Sequence, residues 1–309
     1  MKNFFLKNQY NFFIIPALVS VIAVIAIFKW GLTLGIDLKG GSLLEVAYPD
    51  GRPSVDLIRE AVEPLDFGEV RVQPSGEQNV MVRARDLTPA EKAEVVTALS
   101  SVGTIEEVQF NSVGPSIGQE LMAKAWWAIG LVTLSIILFV AFAFRHVSKP
   151  VSSWKYGIVI VITLMHDILI PTGLFAYLGY VRGAEVDVLF IVALLTILGI
   201  SVNDTIVVFD RIRENLRLNE DKKKVERFAE VVAHSTAQTL ARSLNTSMTV
   251  IIVLIALFAV GPMATKDFAL TLIVGMVAGT YSSIFLASPL LVLIEKYQKV
   301  QPVKEEKKA

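Results

Sequence analysis

Cysteine is absent from the 309-residue chain, which excludes disulfides, thiolate nucleophiles and cysteine-ligated metals. Excess charge of either sign is absent too. Its 29 Lys and Arg balance 29 Asp and Glu, so no global basic field argues for nucleic acid. Ser/His/Asp catalysis is not expected either, because His166 falls inside an apolar run. No pattern requires a cofactor or a metal, and no bond chemistry, hence no enzyme, is indicated. What is present is apolar: 53% of residues are hydrophobic and the mean hydropathy is +0.57. These values fit a polytopic α-helical membrane protein with one sizeable polar insert.

Six apolar runs are near or above the roughly 17–25 residues that a spanning helix needs. They cover residues 12–28, 126–144, 156–178, 188–209, 244–260 and 268–294. The first follows Lys2 and Lys7 and lacks a small-x-small cleavage site before Lys29-Trp30-Gly31, so it reads as an uncleaved signal-anchor helix. Cations set the orientation. Lys2 and Lys7, then Arg145, Lys149 and Lys155, then the Arg211–Arg227 segment with Lys222, Lys223 and Lys224, then Lys296 and the lysines after it, all fall on one side. The opposite loops carry only Arg182 with Glu185 and Asp187, and Lys266 with Asp267. Both termini are therefore expected in the cytoplasm. The expected divisions are a cytoplasmic start and first span over 1–30, an outside domain over 31–124, a five-helix bundle over 125–297 with a cytoplasmic loop at 210–240, and a tail over 298–309.

The outside stretch holds no histidine and no Gly-rich phosphate loop. Residues 42–48, 69–73, 80–85 and 105–112 read as strands, and 55–65 carries helical apolar spacing at Val55, Ile58, Val62 and Leu65. Thr88-Pro89-Ala90-Glu91 supplies an N-cap, a first-turn proline and a capping-box glutamate, so a second helix starts there. The order β-α-β-β-α-β is the ferredoxin-like pattern. Binding or coupling is its expected role, with a spacer as the alternative.

Charge inside the apolar runs is the chemical signal. Asp204 lies within 188–209, where a carboxylate costs roughly 2.5–3.5 kcal/mol on insertion scales. On the fifth run Ser235, Thr239, Arg242, Asn245, Thr246 and Thr249 step by three or four and are expected on one face. Asp204 and Arg242 each fall roughly 25–29 Å from the outer ends of their helices, at 1.5 Å per residue, so equal depth permits pairing. That pair reads either as a static ion pair or as a proton or ion relay. His166 and Asp167 share a face with Thr163 on the third span, one turn before Pro171, and read equally as a static pair or a relay. Thr271, Gly275, Gly279 and Ser282 or Ser283 form a small-residue stripe suited to close packing.

Four segments carry a resemblance. They are Gly35-Ile36-Asp37-Leu38-Lys39-Gly40-Gly41, Val113–Leu121 (VGPSIGQEL), Ser201–Asn215 (SVNDTIVVFDRIREN) and Ala241–Thr249 (ARSLNTSMT). Together with six spans and one small outer domain, they resemble the SecD/SecF family of protein-export subunits, on the SecF side. The resemblance implies a half-transporter of the RND superfamily in the bacterial cytoplasmic membrane. It implies SecD as a heterodimer partner, the SecYEG translocon beside it, YajC and YidC as further partners, and unfolded preprotein as the substrate. It also implies use of the proton motive force, or of sodium in some relatives. By motif match Asp204 and Arg242 take the family's coupling carboxylate and required arginine. Asn203, Asn245 and Thr246 lie in the same motifs, and His166–Asp167 lies in the third-span motif. The rival readings are a non-energised scaffold of the translocon and an exporter of small molecules or lipids.

Overall fold

A computed structural model describes residue 5 and residues 11–144, 151–221 and 226–297. The cations expected at 2, 7, 145, 149 and 222–224 and the tail at 298–309 lie outside the described residues.

The first long helix, α1 (Ile14–Trp30), ends at Gly31 and leads into a short helix, α2 (Ile36–Lys39). The outer domain then runs β1 (Gly41–Ala47), α3 (Val55–Val62), β2 (Arg71–Ser75), β3 (Asn79–Ala84), α4 (Pro89–Ser100) and β4 (Glu106–Val113). All pairings are antiparallel in the order β2-β3-β1-β4, the ferredoxin-like arrangement. The sheet forms as the alternation predicts, with Leu44, Val46, Val72, Val80 and Val82 turned onto Ile58, Val62, Val95 and Leu99 of the two helices. Ser54 caps α3, and Thr88 with Glu91 closes a full capping box on α4. Each cap satisfies backbone N–H groups that the first helical turn leaves orphaned.

Five further helices follow: α5 (Pro115–Ala143), α6 (Ser153–Arg182), α7 (Val188–Asp221), α8 (Phe228–Val260) and α9 (Met263–Ser282). A π-helical turn (Ser283–Ala287) joins α9 to α10 (Ser288–Tyr297). With α1, these make six helices long and apolar enough to cross a membrane, so the chain is a multi-pass membrane protein. α6, α7 and α9 form the centre. α1 and α5 pack on α6, and α8 packs on α7 and α9. The outward faces of α1, α5 and α8 carry exposed Ile22, Phe28, Trp127, Leu131 and Val253, as lipid-facing helices do.

One expectation of the layout changes. Most of the 210–240 segment is helix rather than loop, because α7 runs on to Asp221 and α8 starts at Phe228. Ile212 packs there with Phe228 and Val232, and Asn215 bonds Ser235, which gives these helix extensions a buried face. The small residues of the 35–41 motif explain how the outer domain joins the bundle. Gly40, at φ +85°, lies so close to the start of α5 that a Cβ would stand 2.6 Å from Pro115 Cα. Only glycine combines that backbone with that approach.

The outer domain also rests on the α6–α7 loop. Thr33 and Gly35 exchange backbone bonds with Val186, at 2.8 and 2.9 Å. Arg83 on β3 pairs with Glu185 at 2.9 Å, and Gln73 on β2 donates to the Gly183 carbonyl at 3.4 Å. The loop so held connects the two helices that carry the buried carboxylates described next.

Candidate functional site

Asp167 sits on α6 with no solvent exposure, in the centre of the bundle. Three side chains from three helices meet it. His166 Nδ1 lies 2.9 Å from its Oδ1, Ser282 Oγ of α9 donates to its Oδ2 at 2.9 Å, and Ser201 Oγ of α7 donates to the same oxygen. Pro171, one turn on, has no N–H to give the Asp167 carbonyl, so the helical ladder is interrupted at the same level. His166 is itself buried, and its Nε2 makes no hydrogen bond among the described residues.

Asp204 lies one turn beyond Ser201 on α7, and half-buried. Its partner is Ser283, whose Oγ donates to Oδ2. The two carboxylates are therefore tied to consecutive serines, at the point where α9 passes into the π-helical turn. A π-turn inserts an extra residue into the helix and re-aims the side chains on either side of it. Here it brings Ser282 and Ser283 to two different acids.

A cavity of about 10 Å3 opens beside Asp204, lined by Ser201, Ser247, Thr280 and apolar groups that include Ile197 and Met276. Thr280 Oγ1 donates to Ser247 Oγ at 2.6 Å on its wall. The small residues of α9 permit this closeness. A Cβ on Gly275 would overlap Ile197 Cδ1, and one on Gly279 would stand 3.0 Å from Ser201 Cβ. Gly279 thus lets Ser201 reach Asp167.

Arg242 does not join this group. It is exposed and forms no ion pair with Asp204, whose carboxylate faces Ser283 instead. Asn203, Asn245 and Thr246 are exposed as well. The polar stripe expected on one face of α8 is divided: Ser235 and Thr239 are buried, while Arg242, Asn245, Thr246 and Thr249 are not. The buried row is Ser235, Thr239, Ser243 and Ser247, in steps of four. Such a row turns by about 40° per step, because an α-helix has 3.6 residues per turn. Halfway along α8, the residues in angular line with Ser235 have rotated out of the contact. Thr163 is buried near Asp167, but its hydroxyl bonds the Ile160 carbonyl of its own helix.

Spacing and apolarity pointed to Asp204, Asp167 and His166. The serines escaped notice as ligands because hydroxyls in a small-residue stripe read first as packing. The signal that marks them is polarity on all three helices at one depth.

Comparison with known proteins places this geometry in context. The model of "Protein export membrane protein SecD/SecF, C-terminal" matches residues 94–297, and that of the "SecD/SecF GG Motif" matches residues 25–48. The protein translocase subunit SecF of Thermobaculum terrenum is 41% identical over 297 residues, covering 92% of this chain and 91% of that relative. The SecF of Vibrio alginolyticus is 38% identical over 269 residues, covering 85% and 80%. Among solved structures, SecDF of Thermus thermophilus, a translocon-associated membrane protein, superposes with a TM-score of 0.82 at 31% identity. The match covers 94% of this chain but 38% of that longer one. A super-membrane-facing form of SecDF gives a TM-score of 0.63 over 93% of this chain.

Proposed function

Because the chain belongs to the SecD/SecF family of protein-export membrane proteins, we propose that it acts with a SecD-type partner to promote export of unfolded preproteins, using the proton motive force. The partnership is favoured by the chain's 38% share of the SecDF molecule it resembles. It is favoured again by the exposed polar face of α8. Arg242 facing hydrocarbon costs roughly 2.5–3.5 kcal/mol on insertion scales, which a covering partner removes. Arg242 then works at the boundary between the two proteins, not as a fixed counter-ion to Asp204. SecYEG is the channel such a pair serves, with YajC and YidC as accessory partners in the same membrane. The cation-rich loops favour an orientation with both termini in the cytoplasm.

The observation that carries the ion-coupled reading is the pair of acids inside the spans, Asp167 and Asp204, each held by hydroxyls with no lysine or arginine paired to either one among the described residues. A carboxylate held by neutral donors gains and loses a proton more readily than one locked to an arginine. A charge crossing the full potential carries about 2.3 kcal/mol per 100 mV, enough to bias a domain movement. The outer domain receives that movement through the Arg83–Glu185 contact on the α6–α7 loop.

The test is export into inverted vesicles at varied pH and sodium, comparing the intact protein with Asp204→Asn. The variant is expected to insert and bind its partner normally while losing gradient-dependent stimulation. Normal stimulation in the variant overturns the coupling role and favours a non-energised scaffold. The dependence on pH or on sodium identifies the ion.

A further inference from the structure

The two acids are linked by more than their neighbouring serines. Ser201 touches both environments: its hydroxyl donates to Asp167, and it lines the small cavity that Asp204 also lines. The cavity has the volume of about one water, and four of its wall residues carry oxygen: Ser201, Asp204, Ser247 and Thr280. A cavity of this size holds a water only where two to four polar partners reach it, and these four side chains are the groups in the wall that can do so. We propose that this cavity binds a single water molecule, and that this water with Ser201 carries protons between Asp204 and the His166–Asp167 pair. The inference rests on the coupling role proposed above and assigns it a path.

The transfer balances. Protonated Asp204 gives its proton to the water, and the water gives one of its own to Ser201 Oγ. Ser201 passes its hydroxyl proton to Asp167 Oδ2. One O–H bond is lost at Asp204 and one is gained at Asp167, while water and serine are left as they began. The negative charge has moved from Asp167 to Asp204. His166 faces Asp167 through Nδ1, and its buried Nε2 has no hydrogen-bond partner among the described residues.

The serines on the π-turn side accommodate both charge states. A hydroxyl has one proton to donate and two lone pairs to accept with. Ser282 has a second acceptor in the Gly279 carbonyl at 3.1 Å, and Ser283 has one in the Thr280 carbonyl at 3.1 Å. When its acid is ionised, each serine donates to it. When the acid is protonated, the serine turns to its carbonyl and accepts from the acid. Neither state leaves a polar group unsatisfied, so the proton's position costs little in hydrogen bonding.

Three substitutions test the path in the complex with its SecD-type partner, reconstituted in inverted vesicles. Ser201→Ala is expected to cut gradient-dependent stimulation by about tenfold or more, the scale of a lost proton-transfer group. Ser201→Gly leaves room for a second water where the hydroxyl stood and is expected to recover much of that loss. A packing role predicts the reverse order, since glycine within a helix is destabilising relative to alanine. Ser247→Ala removes an oxygen from the cavity wall without touching either acid's hydrogen bonds and is expected to give a smaller loss. Recovery of the partner complex should match the intact protein in all three. Wild-type stimulation in Ser201→Ala, or Gly at 201 no better than Ala, overturns the water path. If Asp204→Asn abolishes stimulation while Ser201→Ala is silent, the path alone fails. If Asp204→Asn is itself silent, the coupling role fails, and the path with it.

Discussion

The outer domain and the membrane bundle bury opposite things. Inside the domain the core is aliphatic and aromatic, and only Ser42 and Ser75 among its polar side chains are buried. Every other buried polar residue among the described ones lies in the bundle, including Asp167, His166 and the Ser201, Ser282 and Ser283 hydroxyls. In water, burying apolar surface drives folding, so polar groups stay outside. In lipid the surroundings are already apolar, and helices gain specificity from close packing and internal hydrogen bonds. The same chain therefore uses carbon to hold its outer domain and oxygen to organise its bundle centre. Buried oxygen is also what ion movement requires, so the bundle's assembly and its proposed chemistry draw on the same groups.

The sharpest separation of the two comes from Leu99, fully buried in the outer domain against α3 and the sheet. Leu99→Ala is expected to cost about 2–5 kcal/mol of domain stability, the usual range for a leucine-to-alanine cavity. Protease sensitivity of residues 41–113 should rise while the detergent-solubilised bundle melts at its normal temperature. A matched loss in the bundle would show that the two regions fold as one unit.

A serine in each region tests the difference at equal chemistry. Ser282→Ala removes one donor from fully buried Asp167 and is expected to destabilise the bundle by about 1–3 kcal/mol, the penalty for a buried group left short of a partner. Ser75→Ala removes the bond to Glu45, whose carboxylate keeps Asn79 and borders solvent, and is expected to cost about 0.5–1.5 kcal/mol. Thermal unfolding of both variants in the same detergent checks the ranking. Equal costs would mean that the bundle interior is wetter than its packing indicates.

Much of this was legible before any coordinates. Alternation at Ser42–Tyr48 and Val80–Arg85 and the Thr88–Glu91 cap specify the outer domain locally. The six apolar runs mark the spans because lipid requires internal backbone bonding. Asp204, His166 and Asp167 stand out because charge there is costly. What sequence does not contain is the rotation of one helix against another. A four-residue row drifts around α8, so Ser243 and Ser247 face inward while Arg242 and Asn245 face outward, although all lie within six residues. Nor does spacing reveal the π-turn at which neighbouring Ser282 and Ser283 serve different acids.

The smallest effect lies where the two regions meet, and it has opposite signs on either side of the junction. Glu91, in the α4 capping box, is held down to about 2 by its bond from Arg85, with the Thr88 backbone N–H and hydroxyl adding to it. A lowered acid supports the fold above its ordinary value of 4.5 and loses that support as pH falls toward about 2. Glu185, under the β2–β3 hairpin, is raised instead, because burial outweighs the Arg83 charge. A raised acid contributes stability below 4.5, and that contribution is lost as pH rises through its value in the folded protein. Asp187 next to it is raised by burial too and adds to the same trend. Hydrogen exchange, corrected for intrinsic rates, should show the Glu91 amide losing protection on acidification. The Gly35 and Val186 amides, which bond across the junction, should instead lose protection as pH rises above 4.5. Glu185→Gln is expected to flatten most of that second slope and leave the residue due to Asp187. Junction amides that gain protection with rising pH would mean that the Arg83 charge, not burial, governs how the outer domain is held to the helices carrying Asp167 and Asp204.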